Sequence, residues 1–454
     1  MTRRLLICFM LCACIPAGAQ SSGGDTLWTL SGCIGYAMEH NIQLKQTHNT
    51  YLSGMEDTRQ ARAAMFPSLS ASTSQSLANY PSSDVTDNNM YTGSYGLNAS
   101  MTVFQGGNLS ATLKQQKVQN RMDRLSVEET ANDTRIAIIQ AYMQCLYAAE
   151  TVTVNRSTAD VSKVQRDRAE EMWKAGSISR VDFAQLESQW KSDEYQVVSA
   201  QTSYDEYLLQ LKQLLELDIM DEMNLAGPDV SENQILSVLP PKSDIYLAAL
   251  DAMPEVERGS LSVQAAELEI KKARAGFFPS ISLSAGIGTS FMTATGAGTA
   301  TGSTPGYSSG NQYWNNFHEN IGLSLSIPIY SNRSNRTALN KARLSAENTR
   351  LELQGIEKDL LAEVESAYLG AVSSQSRYIA AVQQEDYARQ SYDLVFEQFS
   401  VGAKNTVELI TAQNELTSAR QEVLQAKYMA LLNLELLDLY QGKGVQGQYQ
   451  ETDK

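Results

Sequence analysis

Apolar and polar positions along the chain follow two rhythms, and each occurs twice. Ile281, Leu283, Ala285 and Ile287 alternate with Ser282, Ser284, Gly286 and Gly288; Ile321, Leu323, Leu325, Ile327 and Ile329 then alternate with small or polar residues. Period two marks strands with one apolar and one polar face. The same alternation runs from Tyr95 to Val103 and, more weakly, from Leu69 to Leu77. After each strand pair the period changes. Leu353, Ile356, Leu360, Val364, Ala367 and Ala371, then Ala388, Tyr392, Val395 and Phe399, recur at steps of three and four, the spacing of a coiled-coil seam. Asn108 to Ala175 contains neither proline nor glycine, and Asn332 to Phe399 has no proline and only Gly355 and Gly370. At ~1.5 Å rise per residue each segment predicts a helical rod of ~100 Å.

The chain is one unit written twice. Arg62-Ala63-Ala64-Met65-Phe66-Pro67-Ser68-Leu69 returns as Arg274-Ala275-Gly276-Phe277-Phe278-Pro279-Ser280-Ile281, 212 positions later. Leu97, Ala99, Met101, Val103 and Phe104 return as Leu323, Leu325, Ile327, Ile329 and Tyr330, and Lys174 to Asp182 as Ser400 to Glu408, both at an offset of 226. The growth of the offset places an insertion in the Gly/Ser/Thr-rich stretch of the second copy, about Thr293 to Phe317. The predicted first repeat spans 20–226, with a helix about Thr29–Met65, a hairpin about 68–104, a long helix about 108–175 and a return helix about 179–217. A proline-bearing linker, 227–241, precedes the second repeat at 242–440. That repeat holds a helix about Ser243–Gly276, a hairpin about 280–330, a long helix about 332–399 and a return helix about 405–439, before a polar tail at 441–454. The class expected is mainly α with a β portion.

Four strands per chain leave two open edges. Bilayer-spanning β-structure must close on itself, and small barrels need about eight strands, so several copies have to combine. Phe66, Tyr80, Tyr91 and Phe104 in one copy, and Phe278, Phe291, Trp314 and Tyr330 in the other, sit near strand ends as aromatic girdles do. The opening residues agree with export. Arg3 and Arg4 precede an apolar run, Leu5 to Ile15, and Ala17-Gly18-Ala19 makes a cleavage site, so 1–19 reads as a signal peptide. A second reading makes Leu11-Cys12-Ala13-Cys14 a lipobox with Cys14 lipidated.

Composition narrows the function classes. Loss of Arg3 and Arg4 takes the net charge from −15 to −17, unsuited to binding nucleic acid, which needs clustered Lys and Arg. Only Cys33 and Cys145 remain in the mature chain, too few for a disulfide framework. His40, His48 and His318 lack metal-ligand spacing, and no nucleophile, base and orienting group form a motif, so no catalytic residue, metal or cofactor is expected.

Three segments carry a likeness to known proteins: Arg-x-x-Phe-Phe-Pro-Ser at Arg274 to Ser280, Leu-Ser-Ile-Pro-Ile-Tyr at Leu325 to Tyr330, and Phe-x-x-Gly-x-x-x-x-x-Glu-Leu-Ile-x-Ala-Gln at Phe399 to Gln413. With the duplication, they make the chain resemble the TolC family of outer-membrane efflux proteins over its whole mature length. The resemblance implies a homotrimer in the bacterial outer membrane, with a twelve-stranded β-barrel against lipid and a long periplasmic α-helical barrel. It implies a passive exit duct of a tripartite efflux or type I secretion system, joined through a periplasmic adaptor protein to an inner-membrane pump. A different class, a non-conducting trimeric coiled-coil surface protein, shares the periodicity; conduction across a planar bilayer separates the two.

The tips where each long helix turns back are the candidate functional residues. Gly176 and Gly402 stand where a helix end favours a left-handed residue, and Ser179 and Asn405 are good N-caps. Asp182 and Glu408 follow at capping-box spacing, so helix initiation alone accounts for both acids. The resemblance adds a pore gate at Asp182, Phe399, Lys404 and Glu408. There Phe399 lacks the hydroxyl of a tyrosine common in the family, and Thr411 replaces a second acid. It also implies adaptor docking at Ala175, Gly176 and Ser177 and at Val401, Gly402 and Ala403. Lys404 is expected to pair with Asp182 of a neighbouring helix.

The mature protein is expected to begin at Gln20 without lipid, which mass spectrometry of protein purified from the membrane checks; a chain starting at an acylated Cys14 overturns the cleavage assignment.

Overall fold

A computed structural model describes residues 27–81, 89–227, 232–294 and 309–443; the signal segment and all but three residues of the tail lie outside them. The first repeat runs α1 (Leu30–His40), α2 (Ile42–Ala63), β1 (Ser68–Asn79), β2 (Asn89–Gln105), α3 (Asn108–Lys174) and α4 (Arg180–Leu214). After a short α5 (Glu232–Ile235) come α6 (Lys242–Ala252), α7 (Pro254–Ala275), β3 (Ser280–Ala294), α8 (Ser309–Asn315), β4 (His318–Ser326), α9 (Ser334–Ser400) and α10 (Thr406–Tyr440).

The opening helix of each repeat is broken rather than continuous as expected. Asn41 leaves the helix at ψ 127°, and its Oδ1 accepts the Leu44 N–H at 2.9 Å, starting α2 as an N-cap. In the second repeat Met253 is extended at ψ 122° because Pro254 follows and disfavours a helical residue before it. The last strand is also shorter than its alternation suggests. It stops at Ser326, so Ile327 and Ile329 fall outside it; Pro328 has no N–H to give to a ladder.

Helices α3 and α9, 67 residues each, run the full length of the helical part. One half is layered α2–α3–α7–α9 and the other α4–α3–α10–α9, so each long helix is shared by both layers. Between them lies the main core, where Cys33, Ile34 and Met38 of α1 meet Ile138, Tyr142 and Cys145 of α3 with Leu211 and Leu215. Burial pushes both free thiols up to about 12, which keeps them protonated. The Tyr142 hydroxyl donates to the carbonyls of Trp28 at 3.0 Å and Ala226 at 2.6 Å, pinning both ends of the first repeat to its long helix. A second core joins Leu360, Val364, Ala367 and Ala371 of α9 to Ile245 and Ala249 of α6 and Leu437 of α10. The coiled-coil seam read from the sequence is therefore the packed face.

The four strands form one antiparallel sheet in the order β1-β2-β3-β4. Register brings Leu69, Ala99, Ala285 and Ile321 into one row, and Ala71, Leu97 and Ile287 into the next apolar row. The opposite face carries Ser68, Ser100, Ser284 and Gly322, with Ser70, Asn98, Gly286 and Asn320 beside them. A bulge between Thr102 and Phe104 lets Val103 slip from the ladder and returns Phe104 opposite Ile281, on the face of the apolar rows, where Glu319 opposite Ile287 is a charged exception. From Ile281 to Phe291 along β3 is ~33 Å, or ~25 Å along the normal of a strand tilted by ~40°, the height of an outer-membrane apolar band. Phe291 lies at that far end, 7% exposed, against Tyr91, Tyr95 and Tyr313 of α8.

Strand and long helix are joined by the same left-handed pair in each repeat. Gly106 and Gly107 have φ of 58° and 84°, and their counterparts Asn332 and Arg333 have 46° and 63°. Gly106 has a further reason to be glycine: a Cβ there would lie 2.7 Å from the Ala275 carbonyl oxygen and 2.8 Å from Phe278 Cβ of the other repeat. At Gly107 only Ser110 Oγ is near, at 3.9 Å. Gly106→Ala is therefore expected to cost about 2–4 kcal/mol, combining a left-handed penalty with overpacking. Gly107→Asn should stay within about 1 kcal/mol. Thermal denaturation of the purified variants in detergent checks the contrast, and equal losses would remove the close approach as its cause.

Candidate functional site: the helix-turn tips

At each tip the long helix stops in the same hydrogen-bonded form. Gly176, at φ 77°, donates to the Trp173 carbonyl at 2.9 Å and Ser177 donates to Met172 at 2.8 Å. Gly402, at φ 78°, donates to Phe399 at 3.0 Å and Ala403 to Gln398 at 2.9 Å. Both are Schellman turns, satisfying carbonyls that a helix end leaves open. Nothing lies within 4 Å of a Cβ built on either glycine, so backbone conformation alone selects glycine there. Ala175, Gly176, Ser177, Val401, Gly402 and Ala403 are all exposed, Val401 to 79%. An apolar side chain so open at a turn is a surface without a partner in the isolated chain.

The returning helices start with complete capping boxes. Ser179 Oγ accepts the Asp182 N–H at 3.1 Å while Asp182 Oδ2 accepts from the Ser179 N–H at 3.3 Å and hydroxyl at 2.7 Å. Asn405 Oδ1 accepts the Glu408 N–H at 2.9 Å, and Glu408 Oε2 accepts the Asn405 N–H at 3.1 Å. The Ser179 hydroxyl holds the Asp182 carboxyl below its usual range, with smaller help from the Ser179 N–H and Thr406. The Lys404 ammonium, followed by the Asn405 N–H, does the same for Glu408.

The structure corrects the expected partner of Lys404. Within the chain its ammonium donates to Glu408 Oε1 at 2.6 Å, one turn along, rather than to Asp182. Asp182 Oδ1 instead accepts from Thr406 Oγ1 of the other repeat at 3.2 Å. The second-repeat tip is thus internally neutralised, whereas Asp182 is held by neutral donors and keeps its charge uncompensated. Phe399 is half-buried and contributes its carbonyl to the turn. The hydroxyl it lacks is found two turns back on Tyr392, which accepts from Gln165 of α3 at 2.9 Å. Thr411 is turned onto its own helix, its hydroxyl donating to the Val407 carbonyl at 2.9 Å.

Thr406 was not among the residues singled out from sequence. It is 3% exposed and its hydroxyl is the direct link between the two tips. Its position just after the Asn405 cap was legible, but the link spans 224 positions and needs the packing of α10 on α3 and α4. Trp173 and Phe183 likewise stack at 5.3 Å across the first turn, an aromatic clasp that the second tip lacks, Phe399 and Leu409 standing at the corresponding positions.

Matches to known proteins follow the duplication. A family model for outer membrane efflux proteins matches residues 34–216 and again 245–443. The chain belongs to the outer membrane efflux protein family. It is 22% identical over 409 residues to the outer membrane protein TolC of Escherichia coli strain K12, covering 87% of this chain and 78% of that protein. The alkaline protease secretion protein AprF of Pseudomonas aeruginosa is 24% identical over 313 residues, covering 68% of this chain and 61% of AprF. The cation efflux system protein CusC of Escherichia coli O157:H7 is 23% identical over 427 residues, 91% of this chain and 86% of CusC. A crystal structure of CusC superposes with a TM-score of 0.76 at 19% identity, covering 91% of this chain and 92% of that one.

Family membership makes this an outer-membrane channel protein of the efflux and secretion class. Among the described residues no helix is long and apolar enough to cross a membrane.

A carboxyl held below its usual range contributes stability that is complete above the ordinary carboxylate range and is lost progressively as the pH falls from the ordinary value to the lowered one. The amide N–H groups of Ser179 and Asn405, which the Asp182 and Glu408 carboxylates accept, are expected to keep full protection from hydrogen exchange above the ordinary carboxylate range and to lose it progressively as the pH falls through and below that range. Protection unchanged over that whole span, after correction for intrinsic rate, would mean that the carboxylates do not hold these boxes.

Proposed function

We propose that three copies of this chain close a twelve-stranded barrel through the outer membrane, continued by a periplasmic barrel of helices. The assembly is a passive exit duct with no catalytic step of its own. The observation that carries this reading is that both flanks of the protomer are unfinished in the same sense. In the sheet, β1 and β4 each leave one edge free. In the helical part the outermost helices are α2 and α4 on one flank and α9 on the other, and α4 and α9 present apolar side chains outward: Val181, Tyr195 and Val198 on α4, and Leu361, Leu369, Ile379 and Leu394 on α9. Different surfaces at the two flanks make a head-to-tail interface, which closes into a ring when the rotation fits. Four strands and four layered helices per copy make twelve of each in a trimer.

The remaining assignments rest on the same reading. The exposed turns 175–177 and 401–403 dock a periplasmic adaptor, which joins the duct to an inner-membrane pump. Asp182, Phe399, Lys404 and Glu408 surround the entrance, where three Asp182 carboxylates favour cations at a low-dielectric constriction. Selection of cargo falls to the pump; the names of AprF and CusC, one a protease secretion protein and one a cation efflux protein, support a duct indifferent to what it carries.

The purified protein is expected to run as a detergent-stable trimer and to conduct ions in a planar bilayer, with cations favoured. Glu408→Gln keeps a side-chain acceptor at the capping position and removes one charge per copy, so it should lower cation selectivity at nearly unchanged thermal stability. A stable folded monomer would sink the architecture. Trimers that never conduct would favour a structural coiled-coil protein, and unchanged reversal potentials would leave Glu408 a helix cap only.

A further inference from the structure

Each helical hairpin has an apolar interior, with Leu186 of α4 and Leu409 of α10 almost fully buried. The seam between the hairpins, where α3 meets α10, is apolar at the main core, with Tyr428, Ala430 and Leu431 beside Ile138, Tyr142 and Cys145, but turns polar on the tip side of it. Gln421 Nε2 donates to Asn155 Oδ1 at 3.0 Å, Thr158 and Thr417 hydroxyls lie 3.4 Å apart, and Gln413 Nε2 donates to Ser162 Oγ at 2.6 Å. Polar rungs set register and separate at lower cost than an apolar seam, because water replaces each bond.

Asp193 of α4 completes the third rung. It is 8% exposed, and Ser162 is 2% and Gln413 3% exposed. Asp193 Oδ2 accepts from Ser162 Oγ and from Gln413 Nε2 at 3.4 Å, and Oδ1 accepts from Gln189 Nε2 at 2.9 Å. That Gln189 amide also donates to Asn414 Oδ1 of α10 at 3.1 Å. One carboxylate thus gathers donors from three helices, yet no cation pairs with it. On α3, Lys163 is exposed, and Arg166 lies over Trp190 and pairs with Asp167 and Glu170. On α4, Lys191 and Glu194 pair with each other at 2.8 Å. On α10, Arg420 turns to Glu385 of α9 at 3.6 Å and Glu415 is exposed. Burial pushes the Asp193 carboxyl up, opposed in part by the Ser162 and Gln189 hydrogen bonds.

The hydroxyl between these groups has one proton and two acceptors. Ser162 Oγ lies against Asp193 Oδ2 and also 3.0 Å from the Thr158 carbonyl. A proton on the carboxyl removes the competition: Asp193 O–H donates to Ser162 Oγ, and Ser162 O–H donates to the Thr158 carbonyl. We propose that Asp193 is a proton-binding site of the packed rod, holding a proton while the two hairpins are together and releasing it when they part, so that seam opening is coupled to pH. That parting widens the duct rests on the channel reading above; the proton site itself does not.

The sign follows from burial. An acid raised in the packed state favours packing at low pH and withdraws that support as the pH rises through its raised value. Asn is the neutral isostere of the protonated acid, so Asp193→Asn should keep the hairpins packed at all pH. The experiment compares wild type, Asp193→Asn and Ser162→Ala as intact protein in detergent. Infrared difference spectra are expected to show a protonated-carboxyl band that titrates above the ordinary aspartate range and is absent in Asp193→Asn. Thermal midpoints of wild type and Asp193→Asn should coincide in acid and separate toward neutrality, the variant melting a few degrees higher. In bilayers, wild-type conductance should rise with pH more steeply than that of Asp193→Asn. Ser162→Ala removes the relay hydroxyl and should shift the band, which a purely packing role would not move. No band in wild type, or Asp193→Asn melting below wild type at neutral pH, overturns the proton site. Absence of conductance at every pH with the band present would instead count against the duct reading alone.

Discussion

A strand edge left open in hydrocarbon exposes peptide N–H and C=O groups to a solvent that offers them nothing, at several kcal/mol for each unmet group. Four strands in a single sheet have two such edges, and the rest of the molecule is arranged around that incompleteness. The two repeats supply two hairpins to one sheet, the bulge at Val103 keeps its apolar rows aligned across them, and the helical layer repeats the pattern below with two unfinished flanks. Sheet and helical layer thus end in open flanks on the same two sides of the chain.

Joining a tilted sheet to near-parallel rods demands a sharp change of direction, and the chain makes it with two consecutive left-handed residues per repeat. The copies reach this conformation by different chemistry, Gly106-Gly107 in one and Asn332-Arg333 in the other. Only at Gly106 does the neighbouring backbone forbid a side chain as well. Two-fold repetition at the backbone level therefore coexists with divergence of side chains, and the same holds at the tips. There identical turns and capping boxes carry an unpaired acid in the first repeat and a Lys404–Glu408 pair in the second. On the tip side of the main core, polar rungs cross between the hairpins while each hairpin packs apolar side chains within itself.

Much of this was legible in the residues themselves. Period-two alternation marked the strands, three-and-four spacing marked the α9 seam, and Leu360, Val364, Ala367 and Ala371 are buried along it as read. The turn signals at Gly176 and Gly402, with Ser179–Asp182 and Asn405–Glu408, act over a few residues and appear as expected, because such local hydrogen bonds depend on little beyond their own sequence. Local punctuation was under-read in three places: Asn41, Pro254 and Pro328 each interrupt an element that the hydrophobic pattern alone carries through.

What the sequence by itself determined is the repeated unit, the identity of its elements, the faces of its strands and the form of its turns, all set by interactions between near neighbours or by a period. What only the tertiary structure decided is which polar side chains meet across the repeats. Asp182 finds Thr406 rather than Lys404, Tyr392 finds Gln165, and Asp193 finds Gln413. These partners lie as much as 224 to 251 positions apart, as for Thr406 and Asp182 or Gln413 and Ser162. Periodicity assigns a polar residue to a face, but the axial register of two packed helices selects its partner, and that register is set by the whole interface.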